Sequence, residues 1–162
     1  PAPGSPVWTV QSDFVSDIAV AGDRYGFSVA LSSDGNTLAL GSPGENFNTG
    51  AVRVFRKSSG QWTIVTMLDG TGNGFDEGDQ FGHAVAISGD GRTVAVGAPY
   101  SAGFSTPRVK EQGEVLVWSD KAGTEKIMNY LPKNLKGGAE GDRFGWSVSL
   151  DKDGEVMAVG AP

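Results

Sequence analysis

The chain has 162 residues, with 19 acidic and 13 basic side chains and a formal net charge of −6 at pH 7. This acidic balance argues against a duplex nucleic-acid partner, because such binders need a basic face to displace phosphate counterions. The sequence contains no cysteine, which excludes disulfides, thiol catalysis and Cys-ligated metals and gives no sign of the redox compartment. No apolar run approaches the roughly 18 residues of a membrane-spanning helix, so we expect no transmembrane segment here.

One segment occurs in three gap-free copies, at residues 22–43, 78–99 and 141–162. Each copy opens with Gly-Asp and closes with Gly-Ser-Pro or Gly-Ala-Pro at the same offset. The stretches after the first two copies also match, as TGAVRVF at 49–55 and QGEVLVW at 112–118. Repeats of this kind indicate a modular fold in which neighbouring units bury one another's faces.

Each complete repeat is predicted to contain four short strands, which we call A to D. Alternating large and small residues predict strand A at 27–31, 83–87 and 146–150. An Asp-Gly pair then predicts a tight hairpin, and strand B ends at a proline because proline cannot donate to a central ladder. Strands C and D follow a loop of variable length. Trp8 and Trp62 lie at equivalent positions in strand D, whereas the last copy, at 125–131, matches less well.

Strands A and B have one bulky face and one small face in all three copies. In the second copy the bulky face carries Val85, Ile87, Val94 and Val96, opposite Ala84, Ala86, Ala95 and Gly97. Such sheets stack large face onto small face, which favours an all-β protein, a β-propeller of radially arranged four-stranded blades.

Residues 1–162 are expected to form a partial propeller, and the repeat boundaries divide it into blades. We expect an outer strand of a preceding blade at 7–21, complete blades at 22–77 and 78–140, and the first half of another blade at 141–162. Two blade faces are then left uncovered. The chain is therefore expected to be part of a longer chain or to form a homo-oligomer.

An aromatic-Gly pair precedes each Gly-Ser/Ala-Pro, at Tyr25-Gly26, Phe81-Gly82 and Phe144-Gly145. The pairing of these motifs at a fixed offset resembles the FG-GAP repeat, the blade of integrin α-subunit heads and of many surface proteins. The resemblance spans residues 7 to 162. It implies an FG-GAP-type β-propeller, a role in adhesion or protein binding, and an extracellular or cell-surface location.

The hairpins between strands A and B depart from the calcium-binding blades of that family, which carry an Asp-x-Asp-x-Asp-Gly-x-x-Asp loop. Calcium prefers about six to eight oxygen ligands. The first two hairpins here offer one carboxylate each, and only the third, with Asp151, Asp153 and Glu155, is a weak candidate for calcium. We expect no cofactor, and we expect Asp34, Asp90 and Asp153 to bond their own turns.

Other recurring polar positions are predicted to be structural. Asp23, Asp79 and Asp142 recur before the aromatic-Gly pair and are expected to accept backbone N–H groups of a turn. The cluster at 76–79 is alternatively a site for a cation or a basic ligand. His83 aligns with Phe27 and Trp146, which indicates a packing position, and Trp146 is expected in the core.

The B–C loops and D–A connections are long and variable, and in a propeller they emerge on one rim. Variable loops on a rigid scaffold are the usual place for binding. Apolar residues in these polar loops motivate the choice of contact residues below, although these apolar side chains could instead hold their own loops in place. The candidate contact residues are Glu45, Asn46, Phe47 and Asn48 on one loop, and Tyr100, Phe104, Arg108 and Lys110 on the other.

The predicted function is a non-catalytic interaction module at the cell surface or outside the cell, which binds a protein partner through this rim. The sequence contains no nucleophile elbow, HExxH motif or phosphate loop, so we expect no enzyme activity in these residues. Two alternatives stay open. One is a carbohydrate-binding propeller with a glycan ligand, and the other is a structural unit of a surface fibre or assembly.

Overall fold

The computed structural model describes residues 9–14, 20–103, 108–120, 129–130 and 135–162. The described strands pair antiparallel within three sheets, one for each repeat. The first sheet has four strands in chain order, β1 (Ser28–Leu31), β2 (Thr37–Ser42), β3 (Ala51–Ser58) and β4 (Gln61–Asp69). A four-residue segment, α1 (Glu45–Asn48), which is left-handed at Asn46 and Phe47, connects β2 to β3, and a 3₁₀ turn, Thr71–Asn73, follows β4.

The second and third sheets repeat this order. The second contains β5 (Ala84–Ile87), β6 (Thr93–Ala98), β7 (Glu114–Ser119), β8 (Asn129–Tyr130) and β9 (Leu135–Lys136). Both β8 and β9 pair with β7. The third consists of β10 (Ser147–Leu150) and β11 (Met157–Gly160). The described residues contain no helix long and apolar enough to cross a membrane.

The A–B hairpins form as predicted. Gly35 and Gly91 adopt φ of 69° and 70°, the left-handed conformation that glycine takes without a steric penalty. In the first hairpin the Ser32 hydroxyl donates to Asp34 Oδ1 at 2.6 Å, and the same oxygen accepts the Asn36 N–H at 2.9 Å. The Asp therefore satisfies its own turn, as expected for the first two hairpins.

The sheets stack large face onto small face, which confirms the propeller-type packing. The bulky face of the second sheet, with Val85, Ile87, Val94 and Val96, packs against the first sheet in one apolar core. Its small face, with Ala86 and Ala95, packs against Val148, Leu150, Met157 and Val159 of the third sheet. The second sheet thus buries one face against each of its two neighbours.

The FG and GAP motifs contact each other across this stacking. A Cβ on Gly97 would lie 2.9 Å from the carbonyl carbon of Gly145 in the next repeat, and closer still to its oxygen. Gly41 has the same relation to Gly82, at 3.1 Å from the carbonyl carbon. The close approach of the next FG backbone therefore requires glycine at Gly41 and Gly97.

A second backbone contact ties the end of each B–C loop to the following repeat. The Phe81 N–H donates to the Thr49 carbonyl at 2.9 Å, and the Phe144 N–H donates to the Gln112 carbonyl at 3.1 Å. Parallel bridges accompany these bonds, at Gly50 with Phe81 and at Gly113 with Phe144. The loops of the candidate rim are thus fixed to both of their neighbouring sheets.

Three expectations are corrected. Residues 9–14 of the predicted strand at 7–21 form no strand; instead Phe14 packs on Phe55, at 4.9 Å between ring centroids. Trp8 lies outside the described residues. Trp146, expected in the core, is 37% exposed, and no sheet formed by the described residues covers it. Strand A begins one residue late in each repeat, since the preceding glycine of the FG motif has positive φ.

Candidate binding rim

The first loop of the candidate rim is a strained turn. Asn46, Phe47 and Asn48 adopt φ of 50°, 56° and 63°, so three consecutive non-glycine residues are left-handed. Each such residue costs on the order of 1 kcal/mol or more, and it persists only where the surroundings determine it. The turn is closed by the Gly50 N–H, which donates to the Glu45 carbonyl at 2.9 Å.

A buried ion pair holds this turn on the sheet. Arg53 of β3, only 4% exposed, donates from Nη1 and Nη2 to the two carboxylate oxygens of Glu45 at 2.7 and 2.9 Å. Its guanidinium also lies over the Tyr25 ring, 5.3 Å from the centroid. Hydrogen bonding to Glu45 raises the pKa of Arg53. Glu45, a predicted contact residue, is therefore engaged within the chain.

Phe47 stands at the apex of this turn and is 80% exposed. Its neighbours Asn46 and Asn48 are exposed as well. Beside the ring lies an open groove, the rim groove, of ≈ 540 Å³. The residues that line the rim groove are Val20, Ala21, Gly22, Asp23, Arg24, Gly44, Asn46, Phe47 and Asn48.

The second loop is held by its own contacts. Tyr100 is half-buried beneath the Arg143 guanidinium, which lies 5.4 Å from the ring centroid. Arg108 forms an exposed ion pair with Asp76. Lys110 is exposed and approaches Glu111 Oε1 at 3.7 Å. Phe104 lies outside the described residues. Of the predicted residues, Asn46, Phe47, Asn48 and Lys110 are the more available to a partner.

A row of aromatic rings runs along the starts of the innermost strands. The His83 ring lies 5.2 Å from Phe27 and 4.7 Å from Trp146, between centroids. Burial lowers the pKa of His83. The packing role predicted for His83 is confirmed. Phe27 and Trp146 nevertheless stay 52% and 37% exposed.

The recurring Gly-Asp carboxylates cap turns, as predicted. Asp23 Oδ2 accepts the Val20 N–H at 2.8 Å, and Asp79 Oδ2 accepts the Asp76 N–H at 2.9 Å. Asp142 Oδ2 makes the same bond in the third repeat. In the acidic cluster at 76–79, the basic partner of Asp76 is the chain's own Arg108.

The third hairpin uses a different aspartate from the predicted one. Asp151 Oδ1 accepts the N–H groups of Glu155 at 2.8 Å and Val156 at 3.0 Å, and these bonds lower its pKa. Asp151 stands at the position that is serine in the other two hairpins. Its carboxylate takes the place of the bonded serine and aspartate of those hairpins, so the expectation for Asp153 is corrected. Across the described ranges, no three His, Asp or Glu side chains gather to hold a metal ion.

The pairing of Glu45 with Arg53 and the burial of Glu114 were not found from the sequence. The Glu45–Arg53 pair occupies positions that are Ser101 or Leu116 in the second repeat, and Glu114 replaces Ala51 of the first. The sequence signal for these groups was a charged residue at a position that is small or apolar in another repeat. That signal identifies a buried charge only once the side chains facing the residue are known.

Comparisons with known proteins agree with this architecture. The sequence model of the FG-GAP repeat family matches residues 71–117 and 136–162. The structure is similar to hydrazine synthase of Kuenenia stuttgartiensis, with a TM-score of 0.50 and 15% identity, covering 91% of this chain and 32% of that one. It is also similar to the Cps50 (Swd1) β-propeller domain of Myceliophteria thermophila, with a TM-score of 0.50 and 14% identity, covering 81% of this chain and 35% of that one.

The chain therefore spans about a third of the length of these two solved structures. At such low identity the similarity concerns the fold alone. A comparison with curated proteins found no match.

Proposed function

Because this chain is an FG-GAP repeat protein with a β-propeller-like fold, we propose that it is a non-catalytic module that binds a protein partner through the rim of Glu45–Asn48 and Tyr100–Lys110. We place this module at the cell surface or outside the cell, in line with the family resemblance. Propeller scaffolds of this kind present loops on a rigid support, where recognition usually lies.

The observation that carries the proposal is the presentation of Phe47. This ring is 80% exposed, yet the turn beneath it is fixed by the buried Glu45–Arg53 ion pair. An aromatic side chain held rigid before binding loses little conformational entropy on association. Buried aromatic anchors commonly dominate the energy of protein interfaces.

The groove beside Phe47 supports a protein partner. Its walls combine backbone of the D–A connection with Arg24 and two asparagines, so a peptide chain would find both polar and apolar contacts.

Binding of Phe47→Ala tests the proposal. Partners are first recovered with the wild-type chain from surface extracts of its source and identified by mass spectrometry, and affinities are then measured with the purified partner. We expect Phe47→Ala to weaken binding by about 10-fold or more, as for a hot-spot residue. Ile64→Ala, which truncates an exposed apolar residue on the outer strand β4, is the matched control and should stay within about twofold.

Unchanged affinity in Phe47→Ala, with circular dichroism like that of the wild type, would overturn the assignment of this rim. Binding of the wild type to a glycan array in place of any protein would instead support the carbohydrate alternative.

A further inference from the structure

A polar cleft of ≈ 380 Å³ lies between the first and second sheets, on the side of the A–B hairpins and opposite the rim. Every residue that lines it is polar or charged. The charged residues are Asp34, Asp90 and Arg92 of the two hairpins, with Arg56, Lys57 and Asp120 at the ends of β3 and β7. We call it the hairpin cleft.

The stacking of the two sheets brings Arg56 and Arg92 into this cleft. Arg56 in β3 pairs with Thr37 in β2. Gly91, the neighbour of Arg92, lies against the same threonine, because a Cβ on Gly91 would be 3.0 Å from the Thr37 Cβ. The two arginines therefore flank one residue from two different sheets, and both side chains line the cleft.

Neither arginine is paired within the described part of the chain. No described carboxylate forms an ion pair with Arg56 or Arg92, whereas Arg53 and Arg143 each hold a glutamate. Lys57, beside Arg56, donates to the neutral Gln11 Oε1 at 3.1 Å. A guanidinium offers several N–H donors in a planar fork that fits a carboxylate. The two arginines are therefore available to an anionic group.

The aspartates of the cleft are engaged by other groups of the chain. Asp90 Oδ1 accepts the Ser88 hydroxyl at 2.6 Å and a backbone N–H of its turn at 3.0 Å. Asp34 is used in the same way, and its Oδ2 also accepts Asn36 Nδ2 at 3.1 Å. Asp120 is only 2% exposed and has an interaction of its own. These carboxylates leave the guanidinium donors unpaired, but their charges still repel a highly charged anion.

The basic residues of the cleft are not needed for the stacking of the sheets. At the next junction Gly154 lies against Thr93, as Gly91 lies against Thr37. That junction has Ser119, Asp120 and Glu155 where the hairpin cleft has Arg56, Lys57 and Arg92. Since the second and third sheets stack without these cations, stacking does not explain them.

We propose that the hairpin cleft is a second binding site of this chain, which takes the carboxylate side chain of an acidic peptide between Arg56 and Arg92. Small-molecule sites are mostly apolar and bury most of their ligand, whereas this cleft is open and polar throughout. A carboxylate carries one negative charge. A phosphate group carries about −1.5 to −2 and is repelled more strongly by the three aspartates.

The site lies on the opposite side from Phe47, so it does not depend on the partner proposed for the rim. The test titrates the full chain with a synthetic glycine-serine peptide that carries glutamate, and with the same peptide carrying glutamine. Binding is followed by isothermal titration and by NMR of the arginine side-chain N–H groups. We expect the glutamate peptide to cause a saturable shift of the Arg56 and Arg92 signals, and the glutamine peptide to cause none.

Arg56→Ser and Arg92→Asn place at these positions the residues of other repeats, Ser119 and Asn36, so both variants should keep the wild-type circular dichroism. Each should weaken binding of the glutamate peptide by about fivefold or more, because a charge-assisted hydrogen bond is lost. Lys152→Ser is the matched control. It removes an exposed cation of the third hairpin that does not line the cleft, and it should bind the glutamate peptide like the wild type.

Three results would overturn the proposal: equal binding of the glutamate and glutamine peptides, wild-type affinity in both arginine variants, or an equal loss in Lys152→Ser. Tighter binding of inorganic phosphate than of the glutamate peptide at Arg56 and Arg92 would also overturn it, since the cleft would then select phosphate.

Discussion

The contact between the GAP glycine of one repeat and the FG backbone of the next is tested by Gly97→Ala. The new Cβ would lie 2.9 Å from the carbonyl carbon of Gly145, where ordinary contacts begin at 3.4 Å. Backbone cannot rotate away as a flexible side chain can, so the second and third sheets must separate by about 0.5 Å or more, because the Gly145 carbonyl oxygen lies closer still. No positive φ is involved at Gly97, so the effect is one of space alone.

The cost follows from the interface that this separation loosens. Val148, Leu150, Met157 and Val159 pack there against the small face of the second sheet. A gap of about 0.5 Å forfeits roughly a quarter of each dispersion contact, and overpacking a core typically costs about 1–3 kcal/mol. We expect a loss near the upper end, about 3 kcal/mol, or a fall of about 6–12 °C in unfolding temperature for a chain of this size.

The assay is chemical and thermal unfolding followed by circular dichroism. Gly72→Ala is the control, because a Cβ at Gly72 meets nothing within 4 Å and the residue has no positive φ. Its unfolding temperature should equal that of the wild type or exceed it slightly. If Gly97→Ala is as stable as Gly72→Ala, the proposed reason for the GAP glycine is wrong.

Three further predictions concern side chains. Burial lowers the pKa of His83, so the unfolded chain takes up this proton first and folding stability falls as pH drops below about 6.5. His83→Phe places at this position the phenylalanine of the equivalent position 27. This variant should lose less stability than the wild type between pH 7.5 and 5.5 in thermal unfolding; a loss of stability equal to that of the wild type would contradict the role of His83. Glu45→Gln leaves Arg53 buried without its charged partner and should cost about 3 kcal/mol in urea unfolding, and a cost below about 1 kcal/mol would mean that the ion pair does not hold the turn. Asp34→Ala removes the acceptor of three hydrogen bonds in an exposed hairpin and should cost about 1 kcal/mol; no loss on urea unfolding would show that the turn forms without it.

The repeat, the hairpins and the stacking of sheets could be predicted because each depends on local patterns. An Asp-Gly pair indicates a turn at its own position, and the alternation of the large Val85 with the small Ala86 indicates the two faces of one strand. The FG and GAP glycines were recognised as motifs, but their reason, a contact between Gly97 and Gly145, emerged only from the structure.

The candidate site was less predictable because it depends on contacts between separate elements. The left-handed turn under Phe47 is fixed by Arg53 from the next strand, and nothing in the residues 45–48 alone indicates it. Glu114 seemed an ordinary strand residue until its packing against the first sheet was known. The strand expected at 7–21 was inferred from a short resemblance, and a strand needs a neighbour with which to pair.

The measurement that tests the central claim most directly is site-specific cross-linking with a photoreactive phenylalanine analogue at position 47 and, in a second chain, at position 64. Both positions are exposed, but only position 47 lies on the rim. With the same identified partner, we predict efficient cross-linking from position 47 and little from position 64. Cross-linking that is equal at the two positions, or confined to position 64, would contradict binding through this rim.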